Sequence, residues 1–190
     1  MNKESIFNGG GDWRLNAGVN YPRDAHMLMT EGYLRAAQRL IESLSENPRG
    51  TDFLVYPVAY LYRHWFELRL KSIIDEGRQL LQEGAGYPHG HGLHNLWPVA
   101  RVLLEKVWSE ADRPPQFDLI DGAVSEFQNF DTDSQAFRYP VDSKGKHILQ
   151  GLKAINLQHF SKKMEEIAEF LDAAAMGISS YLDNMRDGEY

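Results

Sequence analysis

Between the turn Asn47-Pro48-Arg49-Gly50 and Gly84 lies a stretch whose first half is apolar on nearly every side. Its second half mixes apolar and charged residues at three- and four-residue spacing. Residues 53–62 are the longest apolar run, interrupted by Pro57 and closed by Arg63-His64. A transmembrane helix needs roughly 20 apolar residues, so this run is a core segment. A strand competes for it, because aromatic and aliphatic residues crowd there. The spacing continues through Glu67-Leu68-Arg69-Leu70-Lys71 into Ile73, Ile74, Leu80 and Leu81, which predicts one helix over 51–83. A helix apolar on all sides belongs at the centre of a fold. Pro57 falls early, where a first turn tolerates it, or else kinks the helix.

The remaining segments fall into place around that helix. Residues 1–23 read as an irregular arm, since Gly9-Gly10-Gly11, Gly18 and Pro22 break any periodicity. Trp13 and Tyr21 are the aromatics that would pin it to the domain. A first helix is predicted over 24–45, with Asp24 as N-cap. Its apolar stripe is Leu28, Gly32, Ala36, Leu40 and Leu44, with Tyr33, Ala37 and Ile41 beside it. A glycine-rich loop over 84–92 carries His89 and His91. A third helix, 94–110, turns Leu96, Ala100, Leu103, Leu104 and Val107 inward, and a fourth, 116–130, turns Phe117, Ile120, Val124 and Phe127 inward. After a polar loop over 131–147 comes a last helix over 149–185, carrying Leu152, Ile155, Leu157, Phe160, Met164, Ile167, Phe170, Leu171, Ile178 and Leu182. The expected fold is all-α: an antiparallel bundle of about five helices over 24–190, with the arm in front.

Composition narrows the function classes. A hydrophobic fraction of 43% over 190 residues supports one domain with a substantial core. The absence of cysteine removes disulfides, thiolate metal sites and cysteine nucleophiles, and suits a reducing compartment. No apolar segment follows Met1-Asn2-Lys3-Glu4-Ser5, so no secretory signal and a cytoplasmic location are expected. A net charge of −7 argues against a nonspecific nucleic-acid coat, while leaving room for a small local basic site.

Three constellations hold polar chemistry. On the central helix Tyr56, Tyr60, Arg63 or His64, Glu67 and Lys71 share a face. They form either a salt-bridge ladder or a polar pocket in which Arg63 holds an anion and His64 moves protons. His89, His91 and His94 have a spacing that metal sites use, but no nearby acid or cysteine completes a set, and no metal or cofactor is expected. His94, at a helix start beside Asn95, has a terminal hydrogen bond as its plain role. The stretch 131–142 lacks the glycine and terminal glutamate of a calcium loop. An ordered loop is expected there, with Phe137 and Tyr139 buried and Arg138 projecting, so that Arg138 pairs with Asp133 or Asp142 or faces the same pocket as Arg63. The common nucleotide-loop, nucleophile-elbow and zinc-protease motifs are absent.

Three blocks in order carry a family resemblance. Tyr62-Arg63-His64-Trp65-Phe66-Glu67-Leu68-Arg69-Leu70-Lys71, then His94-Asn95-Leu96-Trp97, then Phe137-Arg138-Tyr139-Pro140 before a long helix resemble HEPN-like (higher eukaryotes and prokaryotes nucleotide-binding) bacterial proteins. The resemblance spans roughly residues 25–175. It implies a compact bundle, a homodimer, a role in stress, defence or toxin–antitoxin systems with an antitoxin-type partner, and binding of RNA or a nucleotide. Many such proteins are metal-independent ribonucleases, in which histidine acts on the ribose 2′-hydroxyl and arginine stabilises the phosphate. The family's arginine-to-histidine interval is not met: Arg63 and His64 are adjacent, and eight residues separate Arg138 from His147. Either the site is assembled from Arg63, His64 and Arg138, with Glu67, Lys71, His94 and Tyr139 binding ligand, or the bundle is a noncatalytic interaction module.

Overall fold

The computed structural model describes residues 6–7, 11–19, 25–110, 112–131, 134–141 and 144–188. Among them are five α-helices: α1 (Ala25–Glu46), α2 (Thr51–Leu80), α3 (Leu93–Val107), α4 (Gln116–Phe130) and α5 (Leu157–Asp187). They form an all-α antiparallel bundle. The described residues hold no strand, only an isolated bridge between Val141 and His147. No described helix is long and apolar enough to cross a membrane.

α2 is central, packing against α1, α3 and α5, but its buried residues run from Val58 to Gly77, while Phe53 and Tyr56 in the apolar first half are exposed. Tyr62, Trp65, Phe66, Leu70, Ile73 and Ile74 are all but sealed from solvent. Each such side chain contributes roughly 1.5–3 kcal/mol of transfer free energy, which the conformational entropy of ordering the chain largely offsets. Pro57 sits inside α2 without ending it. The ring deletes only the bond to the carbonyl of Phe53, a residue 81% exposed in the first turn where water can replace it.

Four boundaries or faces differ from expectation. The buried face of α1 is Thr30, Leu34 and Ala37, while Leu28, Gly32 and Ala36 face solvent. A strict four-residue row rotates about 40° per step around a helix, so a stripe drawn that way leaves the contact line. Trp13 is 79% exposed and does not pin the arm, and Tyr21 and Asp24 lie outside the described residues. α3 stops at Val107 rather than near 110. α5 begins at Leu157 instead of 149, where the Asn156 side chain accepts from the His159 N–H at 2.9 Å. Upstream, Leu149 (φ 55°) and Gly151 (φ 89°) adopt left-handed backbone, which no helix continues through. Leu152 and Ile155 therefore lie in a connecting segment and wall a cleft of about 460 Å³ with Phe127, Phe137 and Met164.

Candidate functional site

Helical spacing stacks Arg63, Glu67 and Lys71 along one side of α2, and the bundle then buries them. Arg63 and Glu67 are each 1% exposed. Arg63 Nη1 donates to Glu67 Oε2 at 3.3 Å and Nη2 donates to the His91 carbonyl at 2.6 Å. Its Nε lies 3.6 Å from Asp131 Oδ2, an ion-pair distance without a hydrogen bond. Glu67 Oε1 accepts from Lys71 Nζ and from His91 Nδ1, both at 2.7 Å. Asp131, at the end of α4, accepts the Ala136 N–H at 2.7 Å through its other oxygen. One buried guanidinium thus ties α2 to the loop before α3 and to the loop after α4.

The charges balance, two cations against two carboxylates, which is what makes such burial tolerable. Burial alone would push the Glu67 carboxyl up. Hydrogen bonds from Lys71 and His91, with the charges of Lys71 and Arg63, outweigh it and hold the carboxyl below the usual range. Burial lowers the Arg63 pKa, against the opposing pull of Asp131 and Glu67. With Glu67 ionised, His91 Nδ1 is assigned as the protonated nitrogen, because a carboxylate only accepts.

A second layer lies outside this network. The His64 ring, half-buried, meets Tyr33 edge-on at 4.4 Å and stacks on Tyr60 at 5.6 Å. The Arg138 guanidinium lies 5.7 Å from the Tyr60 ring centre and 5.6 Å from that of Tyr139. Its Nε donates to the Ser134 carbonyl at 3.0 Å. His64, Tyr60, Arg138 and Tyr139 therefore make one continuous face containing two rings, an imidazole and a cation. Burial pushes the His64 pKa down; Glu67 opposes this, while Arg63, Lys71 and His91 add to it. The imidazole is consequently neutral at neutral pH.

The structure divides the expected site residues between the two layers. His64, Arg138 and Tyr139 share the outer face; Phe137 is buried as expected, but Tyr139 is exposed, not buried with it. Glu67 and Lys71 are interior, with Lys71 Nζ 5.1 Å from the Tyr87 ring centre. Of the two readings of Arg63, rung of a salt-bridge ladder or anion holder, the ladder is present: Arg63 spends its donors on Glu67 and the His91 carbonyl and sits beneath the face. Its role is to position the two loops. His94 is exposed at the start of α3, its ring folded over Gly92. Asp133 and Asp142, the acids weighed as partners of Arg138, lie outside the described residues. Among the described residues no three histidines, aspartates or glutamates gather to hold a metal. Sequence reasoning missed Asp131 and Tyr33 and read His91 only as a metal candidate. No spacing signal pointed to His91, because Arg63 and Lys71 already offered Glu67 two donors on its own helix.

The pKa directions give a pH dependence. A histidine whose folded pKa lies below its ordinary 6.5 binds fewer protons folded than unfolded. Its contribution to stability is intact above 6.5 and is lost as pH falls from there toward the folded value. Glu67 acts the same way lower down, from 4.5. Glu76 and Asp172, raised by burial, act in the opposite sense. His64→Phe isolates one contribution: the wild type should lose stability relative to this variant between pH 7 and pH 5, read by denaturant melts across ~pH 5–7. Parallel pH curves for the two proteins would contradict the assignment of a neutral, half-buried His64.

No family model, no curated protein and no solved structure matches the chain.

Proposed function

We propose that the protein binds RNA or a nucleotide at the His64–Tyr60–Arg138–Tyr139 face and cleaves RNA there without a metal. The observation that carries this reading is the Arg138 guanidinium lying against two tyrosine rings, beside a neutral imidazole. Phosphate calls for a cation, unpaired bases stack on aromatic rings, and transfer of the 2′-hydroxyl proton calls for an unprotonated base. In a chain of net charge −7, one exposed arginine on an aromatic face selects a local anion rather than coating a duplex. A homodimer, a cytoplasmic location, an antitoxin-type partner and a place in a stress or defence system belong to the same reading and rest on the HEPN-like blocks.

The alternative is a noncatalytic helical interaction protein whose polar residues only order the bundle. The burial and internal pairing of Arg63 and Glu67 favour that role for those two residues, while leaving the outer face unexplained. Arg138→Ala decides between the readings. Fluorescence titration with a short single-stranded RNA is expected to show affinity falling by about tenfold, the scale of one charge-assisted hydrogen bond, with the melting temperature held. An unchanged affinity, or no binding by the wild type, would sink the proposal.

A further inference from the structure

His91 combines three properties that ordinary loop histidines do not share. Its side chain is 67% exposed while the carboxylate on its Nδ1, that of Glu67, is 1% exposed. The Nδ1–Oε1 distance is 2.7 Å, and the other contact of the same oxygen is Lys71 Nζ, also at 2.7 Å. Its own backbone carbonyl is clamped by Arg63 at 2.6 Å. A buried acid, fixed by two cations of the central helix, therefore orients an accessible ring. With Nδ1 engaged inward, the mostly exposed ring leaves Nε2 for solvent or ligand, and His91 is near enough to the His64 face for its charge to act on His64. This is the arrangement of an orienting carboxylate behind a proton-transferring imidazole, not of a surface residue.

We infer that His91, oriented by Glu67, is the general acid of this face: as the imidazolium, with Nδ1–H held on Glu67, it donates the Nε2 proton to the departing 5′-oxygen of RNA. The inference rests on the ribonuclease reading above and deepens it. In the step, the 2′-hydroxyl proton passes to neutral His64 and the 2′-oxygen bonds to phosphorus. The bond from phosphorus to the 5′-oxygen breaks, and the proton on His91 Nε2 moves to that oxygen. The products are a 2′,3′-cyclic phosphate and a 5′-hydroxyl, and solvent returns both histidines to their starting forms. Nothing is oxidised or reduced. Glu67 is a positioning residue here, touching no substrate atom.

The test uses two substrates differing only in the leaving group: a uridine-containing dinucleotide, whose 5′-alkoxide must be protonated, and uridine 3′-(4-nitrophenyl phosphate), whose phenolate leaves without a proton. His91→Gln, verified as folded by thermal melt, keeps an amide donor for Glu67. It is expected to lose about a hundredfold in kcat/KM on the dinucleotide and less than about threefold on the nitrophenyl ester. His64→Ala, lacking the base, should lose equally on both. Glu67→Gln, verified as folded by thermal melt, should show the selective pattern of His91→Gln to a smaller degree. Equal losses for His91→Gln on both substrates, or none on either, would overturn the assignment while leaving the ribonuclease reading intact. A wild type that binds RNA but cleaves neither substrate would overturn both.

Discussion

Arg63→Ala is expected to lower the unfolding free energy by about 3–5 kcal/mol, because it takes the shared guanidinium away from two buried carboxylates. Glu67 loses one of its cations, and Asp131 loses the guanidinium 3.6 Å away. The His91 carbonyl loses its donor too, so the loop before α3 and the loop after α4 come free of α2 together. Urea melts would read the loss, and hydrogen exchange would rise in both loops before the helices. The double change Arg63→Met with Glu67→Leu is expected to recover little of it, since Asp131 and Lys71 stay buried without their partners. A loss under ~0.5 kcal/mol for Arg63→Ala, the range of an ordinary surface change, would show that the network is not the pin described.

On the proposed ribonuclease reading, His64→Ala is expected to cut RNA cleavage by about 10²- to 10⁴-fold while RNA affinity stays near the wild-type value. The imidazole is half-buried and kept neutral by burial, so it is ready to accept a proton at neutral pH. Arg138 and the rings of Tyr60 and Tyr139 remain to hold the ligand. His64→Phe preserves the stacking on Tyr60 and should be as inactive as alanine, which separates proton transfer from packing. Gel-resolved cleavage of a labelled single-stranded RNA, beside a binding titration, measures both quantities. Parallel loss of affinity and cleavage would make His64 a binding residue; full activity in His64→Phe would remove it from the chemistry.

Much of the architecture was legible in the residues alone. The four inward positions of α4, Phe117, Ile120, Val124 and Phe127, are all buried, because a short amphipathic helix has one apolar face and one way to hide it. The same holds for Leu96, Ala100, Leu103 and Leu104 on α3. The centrality of α2 was expected from its apolar first half, yet most of its sealed side chains lie in the mixed stretch from Tyr62 to Ile74. Where the code is local but weak, it misled. Leu152 and Ile155 have helical spacing, yet the left-handed backbone at Leu149 and Gly151 excludes them from α5.

What only the tertiary structure decided is which polar groups meet. Arg63 and His64 are neighbours in sequence, but one helical step of about 100° turns the first into the core and leaves the second at the rim. His91 and Asp131 reach Arg63 across sequence separations that no periodicity encodes, from two loops that share only their packing against α2. Arg138 comes beside Tyr60 for the same reason. Periodicity specifies which face of a helix is apolar, because that depends on residues a few positions apart. A site built between loops depends on how whole helices pack, and burying a charge is tolerable only where that packing delivers its partner.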